Sequence, residues 1–185
     1  MRGFHPIPNI SRPVVFATFS ALILTIAPVQ AQTALPPCAS DSAYAVLDFW
    51  VGQWEVFVGD QKVGENRIEK ILNGCAITEE WIDSRGSRGH SLFYLLPATG
   101  RWRQVWVTDQ AMRRGGVKEK EMIAHLPNGV VRFQGTIALP GGENYLDRTT
   151  LTPVAPGEVR QVIQISTDQG ESWQTTFDAR YLSRP

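Results

Sequence analysis

The chain has 185 residues, with 18 basic and 18 acidic side chains and a formal net charge of zero. That balance argues against nucleic-acid binding through bulk charge, and the length suits one hydrophobic core. None of the three histidines belongs to a recognisable ligand spacing, so no metal and no cofactor is expected.

Residues 1–31 read as a secretory signal. Arg2 and Arg12 precede an apolar stretch from Val14 to Ala27, and Val29-Gln30-Ala31 supplies a small-residue cleavage site. The stretch is short for a bilayer and no second one follows, so no membrane span is expected after cleavage. The cut removes two arginines and leaves 16 basic against 18 acidic residues. Export places the chain in the periplasm or outside the cell, where disulfides persist; a bridge between Cys38 and Cys75 is the expectation. Residues 32–42, small, polar or proline, form a linker, and 43–185 form the folded domain.

Ser42 to Phe49 predicts a short helix capped by Asp41 or Ser42 and anchored by Leu47. From Trp54 the period changes: Trp54, Val56 and Val58 alternate with Glu55 and Phe57, as in a strand with one buried face. Turn signals then recur every ~8 to 15 residues, among them Gly59-Asp60, Asn73-Gly74, Gly115-Gly116 and Gly141-Gly142. The intervening runs, such as Arg101 to Thr108 and Val159 to Ser166, predict about ten antiparallel strands in sequential hairpins. Such a meander exposes two hydrogen-bonding edges unless it closes. The expected fold is therefore all-β: an antiparallel up-and-down β-barrel with a short N-terminal helix and room inside for one small ligand.

Gly52-Gln53-Trp54, at the start of the first strand, resembles the Gly-x-Trp motif of lipocalins and the wider calycin group. That resemblance implies that Trp54 plugs the closed end of the barrel beneath a basic residue of the last strand, Arg180 or, failing that, Arg184. LeuAspPheTrpValGlyGlnTrpGluVal, LeuAsnGlyCys, TrpArgGlnValTrpValThrAsp and ValArgGlnVal are similar to segments of a lipocalin-like family of exported bacterial proteins of unknown function, over about Leu47 to Tyr181. The chain departs from true lipocalins at Thr108-Asp109-Gln110, so the resemblance implies a fold and a cavity without naming a ligand. Ser166 to Trp173 is similar to the Asp-box of propellers, but it occurs once. It reads as a structural hairpin in which Asp168 accepts turn N–H groups and Trp173 folds back.

No Gly-x-Ser-x-Gly and no phosphate-binding glycine loop is present, and His90 and His125 read as surface residues at strand ends. Polar residues sharing a face with apolar ones carry more information. Glu79 lies in phase with Ile77 and Trp81, Gln104 with Trp102 and Trp106, and Gln161 with Val159 and Ile163. Glu79 and Arg148 facing inward would form a buried pair on the floor of a pocket lined by Tyr94 and Trp106; the opposite parity puts them in solvent. The leading function is binding of a small, largely apolar molecule through these residues. A barrel enzyme of the isomerase, cyclase or decarboxylase kind, with Glu79 as acid or base and Arg148 or Tyr94 stabilising an anion, is the alternative. Interaction through exposed tryptophans is the third reading. The sequence names neither the ligand nor the oligomeric state.

Overall fold

The computed structural model describes residues Pro37–Arg184. The signal segment 1–31 and the linker up to residue 36 lie outside the described residues. Ten strands follow in chain order: β1 (Gly52–Val58), β2 (Gln61–Ile71), β3 (Ala76–Asp83), β4 (Arg88–Leu96), β5 (Arg101–Thr108), β6 (Val117–His125), β7 (Val131–Ala138), β8 (Asn144–Ala155), β9 (Glu158–Ser166) and β10 (Gln174–Ser183). Each pairs antiparallel with its sequence neighbours, and β1 pairs with β10, so the sheet closes. Closure satisfies both edges that an open meander would expose. Burial alternates as the pleat requires: in β8, Tyr145, Asp147, Thr149 and Leu151 are buried and the residues between them are not.

One end is sealed by apolar side chains. Leu47, Trp50, Trp54, Phe93, Trp102 and Phe133 are almost wholly buried there. The Trp50 ring meets Phe93 and Tyr181 edge-on, with centroids 5.4 and 6.4 Å away. The segment expected to be a helix forms two separate 3-10 turns, Ser42–Tyr44 and Asp48–Trp50. The cap is as expected, with Ala43 N–H donating to Asp41 Oδ1 at 2.9 Å. Two tertiary demands account for the tighter turns. Leu47 and Trp50 must both enter the barrel, and a three-residue repeat points them the same way. The Ala43 carbonyl, moreover, accepts from Trp102 Nε1 at 2.9 Å. A disulfide joins Cys38, in a helical turn at Pro37–Ser40, to Cys75 in the β2–β3 connection, with a Cα separation of 5.0 Å.

Trp54 lies inside, 4% exposed, at this sealed end. Its Nε1 donates to the Trp50 carbonyl at 2.9 Å. The expected arginine cover is absent. Arg180 sits between inward Ala179 and Tyr181, so the two-residue period turns it outward, where Nη2 donates to the Gly59 carbonyl at 3.3 Å. Arg184 pairs with Glu65 and Glu55 instead.

The β9–β10 hairpin has the structural form read from its sequence. Asp168 Oδ1 accepts from Ser166 Oγ at 2.6 Å and from Ser172 N–H at 3.0 Å, and Trp173 Nε1 donates to the Gly170 carbonyl at 3.1 Å. Gln169 and Gly170 take left-handed φ values of 60° and 96°. His90 and His125 are both exposed.

Candidate functional site

Above the apolar plug, inward positions at mid-barrel turn polar. Asn66, Glu79, Ser91, Gln104, Lys120, Asp147, Thr149 and Gln161 are all buried there. Seven of them form two hydrogen-bonded clusters, and Gln161 pairs with Tyr181. In the first, Glu79 accepts from Asn66 Nδ2 at 2.7 Å and from Ser91 Oγ at 2.6 Å, while Gln104 Nε2 donates to Ser91 Oγ at 3.0 Å. In the second, Asp147 takes both lysines of β6: Lys118 Nζ lies 2.7 Å from Oδ2, and Lys120 pairs with Oδ1. Lys120 Nζ also donates to Thr149 Oγ1 at 2.5 Å. Tyr181 donates its hydroxyl proton to Gln161 Oε1 at 2.7 Å.

Burial shifts the acidity of these groups. It raises the Glu79 carboxyl above the usual range, although Ser91, Asn66 and the Lys120 charge pull the other way. It lowers Lys120 to about 8 despite Asp147. The Tyr181 hydroxyl is pushed well up by burial and then by the Glu79 charge.

Glu79, Gln104, Lys118, Lys120, Thr149 and Gln161 floor a cavity of about 280 Å³ whose walls include Trp81, Trp106, Ile163 and Phe177. Two strand glycines set the tryptophans in place. A Cβ on Gly64 would come within 2.6 Å of the Trp81 ring, and one on Gly89 would overlap the Trp106 ring, so each indole occupies space that a side chain would fill. Gly135 on β7 has a related effect: a Cβ there would strike the Glu119 carbonyl, so its absence lets the lysine-bearing strand approach closely. A second cavity of about 630 Å³ shares Trp81 and Trp106 with the first and reaches the β3–β4 turn and the β5–β6 loop. This is the open end of the barrel.

Of the site residues read from the sequence, Glu79, Trp81, Gln104, Trp106 and Gln161 line the inner cavity together. Arg148 and Tyr94 do not. Arg148, between inward Asp147 and Thr149, points outward; its guanidinium stacks 3.8 Å over Trp173 and donates to Gln164 Oε1 at 2.8 Å. Tyr94 alternates with buried Phe93 and lies on the outer face of β4. The expected Glu79–Arg148 pair is thus replaced by Glu79 with Asn66 and Ser91. Lys118 and Lys120 were missed because ValLysGluLysGluMet from Val117 to Met122 reads as a solvated surface strand, and Asp147 and Thr149 because alternation in AspArgThrThrLeuThr assigns no clear face. The available signal was parity: Lys118 and Lys120 are in phase with partly buried Met122.

Fold and site define a class of protein, a closed up-and-down β-barrel with an internal cavity of mixed polarity. The sequence matches no family model and no curated protein. Among the described residues no group of three or more His, Cys, Asp or Glu could hold a metal ion, and no helix is long and apolar enough to cross a membrane.

Proposed function

We propose that this protein is an exported, lipocalin-like binder of a small, largely apolar molecule. The observation that carries this reading is the roughly 280 Å³ cavity, with aromatic walls above a buried polar floor. Ligand pockets commonly span about 300 to 1,000 Å³, so the inner chamber suits a compact ring system rather than a long chain. Gln104 Oε1 is buried without a hydrogen-bond partner and offers an acceptor to a ligand hydroxyl or N–H. The Cys38–Cys75 disulfide supports export. Native mass spectrometry of protein purified from its own host tests the binding. A co-purifying molecule is expected in the wild type and not in Ile163→Trp, which fills the chamber. A bare protein that also fails to bind compact aromatic compounds in titration would sink the proposal.

A second reading, acid/base catalysis in the same chamber, rests on Glu79. A carboxyl that burial makes a weaker acid can hold a proton for transfer to a bound oxygen, and Lys118 and Lys120, rather than Arg148 or Tyr94, would stabilise the anion. Conversion of the co-purifying molecule on incubation, lost in Glu79→Gln, would favour this reading; an unchanged mass would remove it.

A further inference from the structure

The arginines of this chain are distributed unevenly with respect to carboxylates. Arg67, Arg101, Arg103, Arg160, Arg180 and Arg184 each have a carboxylate oxygen within 4.0 Å on the outer surface. Arg132 and Arg148 have none among the described residues and hydrogen-bond Thr150 and Gln164 instead; Arg85, Arg88, Arg113 and Arg114 also have none, and all four line the cavity at the open end. Arg114 lies over the Tyr145 ring, 4.7 Å from its centroid, and Arg113 donates to Gln110 Oε1 at 2.5 Å; neither contact neutralises a charge.

Two carboxylates share this mouth. Asp83 Oδ1 accepts the backbone N–H groups of Arg85 and Ser87 at 2.8 and 2.9 Å. Asp109 accepts from Ser87 Oγ at 2.8 Å and from Arg88 N–H at 2.9 Å, and the Arg88 charge also acts on it. Four arginines against two aspartates among the lining residues give a formal excess of two positive charges. The carboxylates are engaged in shaping the loops, and apart from the pull of Arg88 on Asp109 the guanidinium groups are not held by an anion among the described residues. The chain as a whole carries no net positive charge, so this excess is local to the opening.

Trp81 and Trp106 line both chambers, so a molecule held between the indoles reaches the polar floor at one end and the arginines at the other. We infer that the ligand is an amphiphilic organic acid: a flat apolar body between Trp81 and Trp106, a hydrogen-bond donor directed at Gln104, and a carboxylate or similar anion at Arg85, Arg88, Arg113 and Arg114. The inference rests on the binding function proposed above and adds the charge and direction of the ligand. Guanidinium groups at the rim of the opening give charge-assisted hydrogen bonds that a neutral analogue cannot make.

Calorimetric titration with a hydroxynaphthoate and with its neutral hydroxynaphthamide tests this. The acid is expected to bind roughly tenfold more tightly than the amide, as a charge-assisted contact implies. Added salt should weaken the acid alone. The preference should vanish in the Arg85→Gln/Arg113→Gln double variant and persist in Arg67→Gln, which removes an outer-surface charge. Equal affinity for acid and amide, or a preference that survives the double variant, would overturn the inference while leaving the cavity's binding function intact. Failure of both probes to bind would overturn the inference, and together with a bare protein in native mass spectrometry it would remove the binding function too.

Discussion

Burial shifts Lys120 and Glu79, both inside the barrel, in opposite directions. Lys120 is 4% exposed beside Asp147, Lys118 and Thr149, and burial lowers its amine from its ordinary 10.5 to about 8. Between about 8 and 10.5 the unfolded chain therefore binds more protons than the folded one, and stability rises with pH across that window. Lys120→Met abolishes this rise, so wild-type protein should gain stability relative to the variant from pH 8 upward. Glu79 has the reverse sign. Its raised pKa means the folded form keeps a proton that the unfolded form has lost; the stabilisation is full below the ordinary pKa of about 4.3 and fades as pH rises through the folded value. Wild type should accordingly lose stability relative to Glu79→Gln as pH climbs from about 4.5. Urea midpoints across pH for the three proteins check both trends, and parallel curves would refute them.

At the scale of elements, Gly64 on β2 and Gly89 on β4 set the cavity walls, and the hairpin around Asp168 joins β9 to β10. Gly89→Ala places a methyl group where the Trp106 ring lies. Overpacking of this kind costs about 1 to 3 kcal/mol. The variant should show a lowered denaturation midpoint together with a shifted indole emission, and an unchanged spectrum would mean that the ring does not rest there. Asp168 acts separately from the chamber. Hydrogen bonds from the Ser166 and Ser172 side chains hold its carboxyl well below the ordinary range, so the hairpin's contribution is full above a pH of about 3.9 and is lost on acidification below it. Asp168→Ala should lower the melting temperature and leave ligand affinity unchanged in protein that remains folded. Loss of affinity at an unchanged melting temperature would instead place this hairpin within the binding site. The strands and this turn were legible because alternation and Asx-turn chemistry are local. The helix expected at Ser42 to Phe49 gave way to two turns because Leu47, Trp50 and the Ala43 carbonyl answer to partners across the barrel end.

For the whole molecule, the sealed end depends on the N-terminal segment staying in place. The Cys38–Cys75 disulfide ties that segment to the β2–β3 connection across 37 residues of sequence. Chain-entropy arguments give such a link about 2 to 4 kcal/mol. Cys38→Ser should lower stability by that amount in urea, and unreduced protein unfolded in denaturant should show no free thiol. Two titratable thiols in that assay would contradict the bridge.

The sequence by itself determined the number and spacing of the strands, their antiparallel order, the burial of Leu47 and Trp54, and the candidacy of Glu79, Gln104 and Gln161 as inward polar residues. All of these follow from two-residue alternation, turn chemistry and the need of a long meander to satisfy its edges. Tertiary structure alone decided which polar residues find partners inside. Lys118 and Asp147 meet across 29 residues of sequence, and nothing local in ValLysGluLysGlu separates them from a solvated strand. Arg148 and Arg180 face outward because each lies between two inward neighbours, a parity that is fixed once ten registers close into one ring. A charge buried in the wall is tolerable only where that closure brings it a counter-charge, and closure depends on every strand at once.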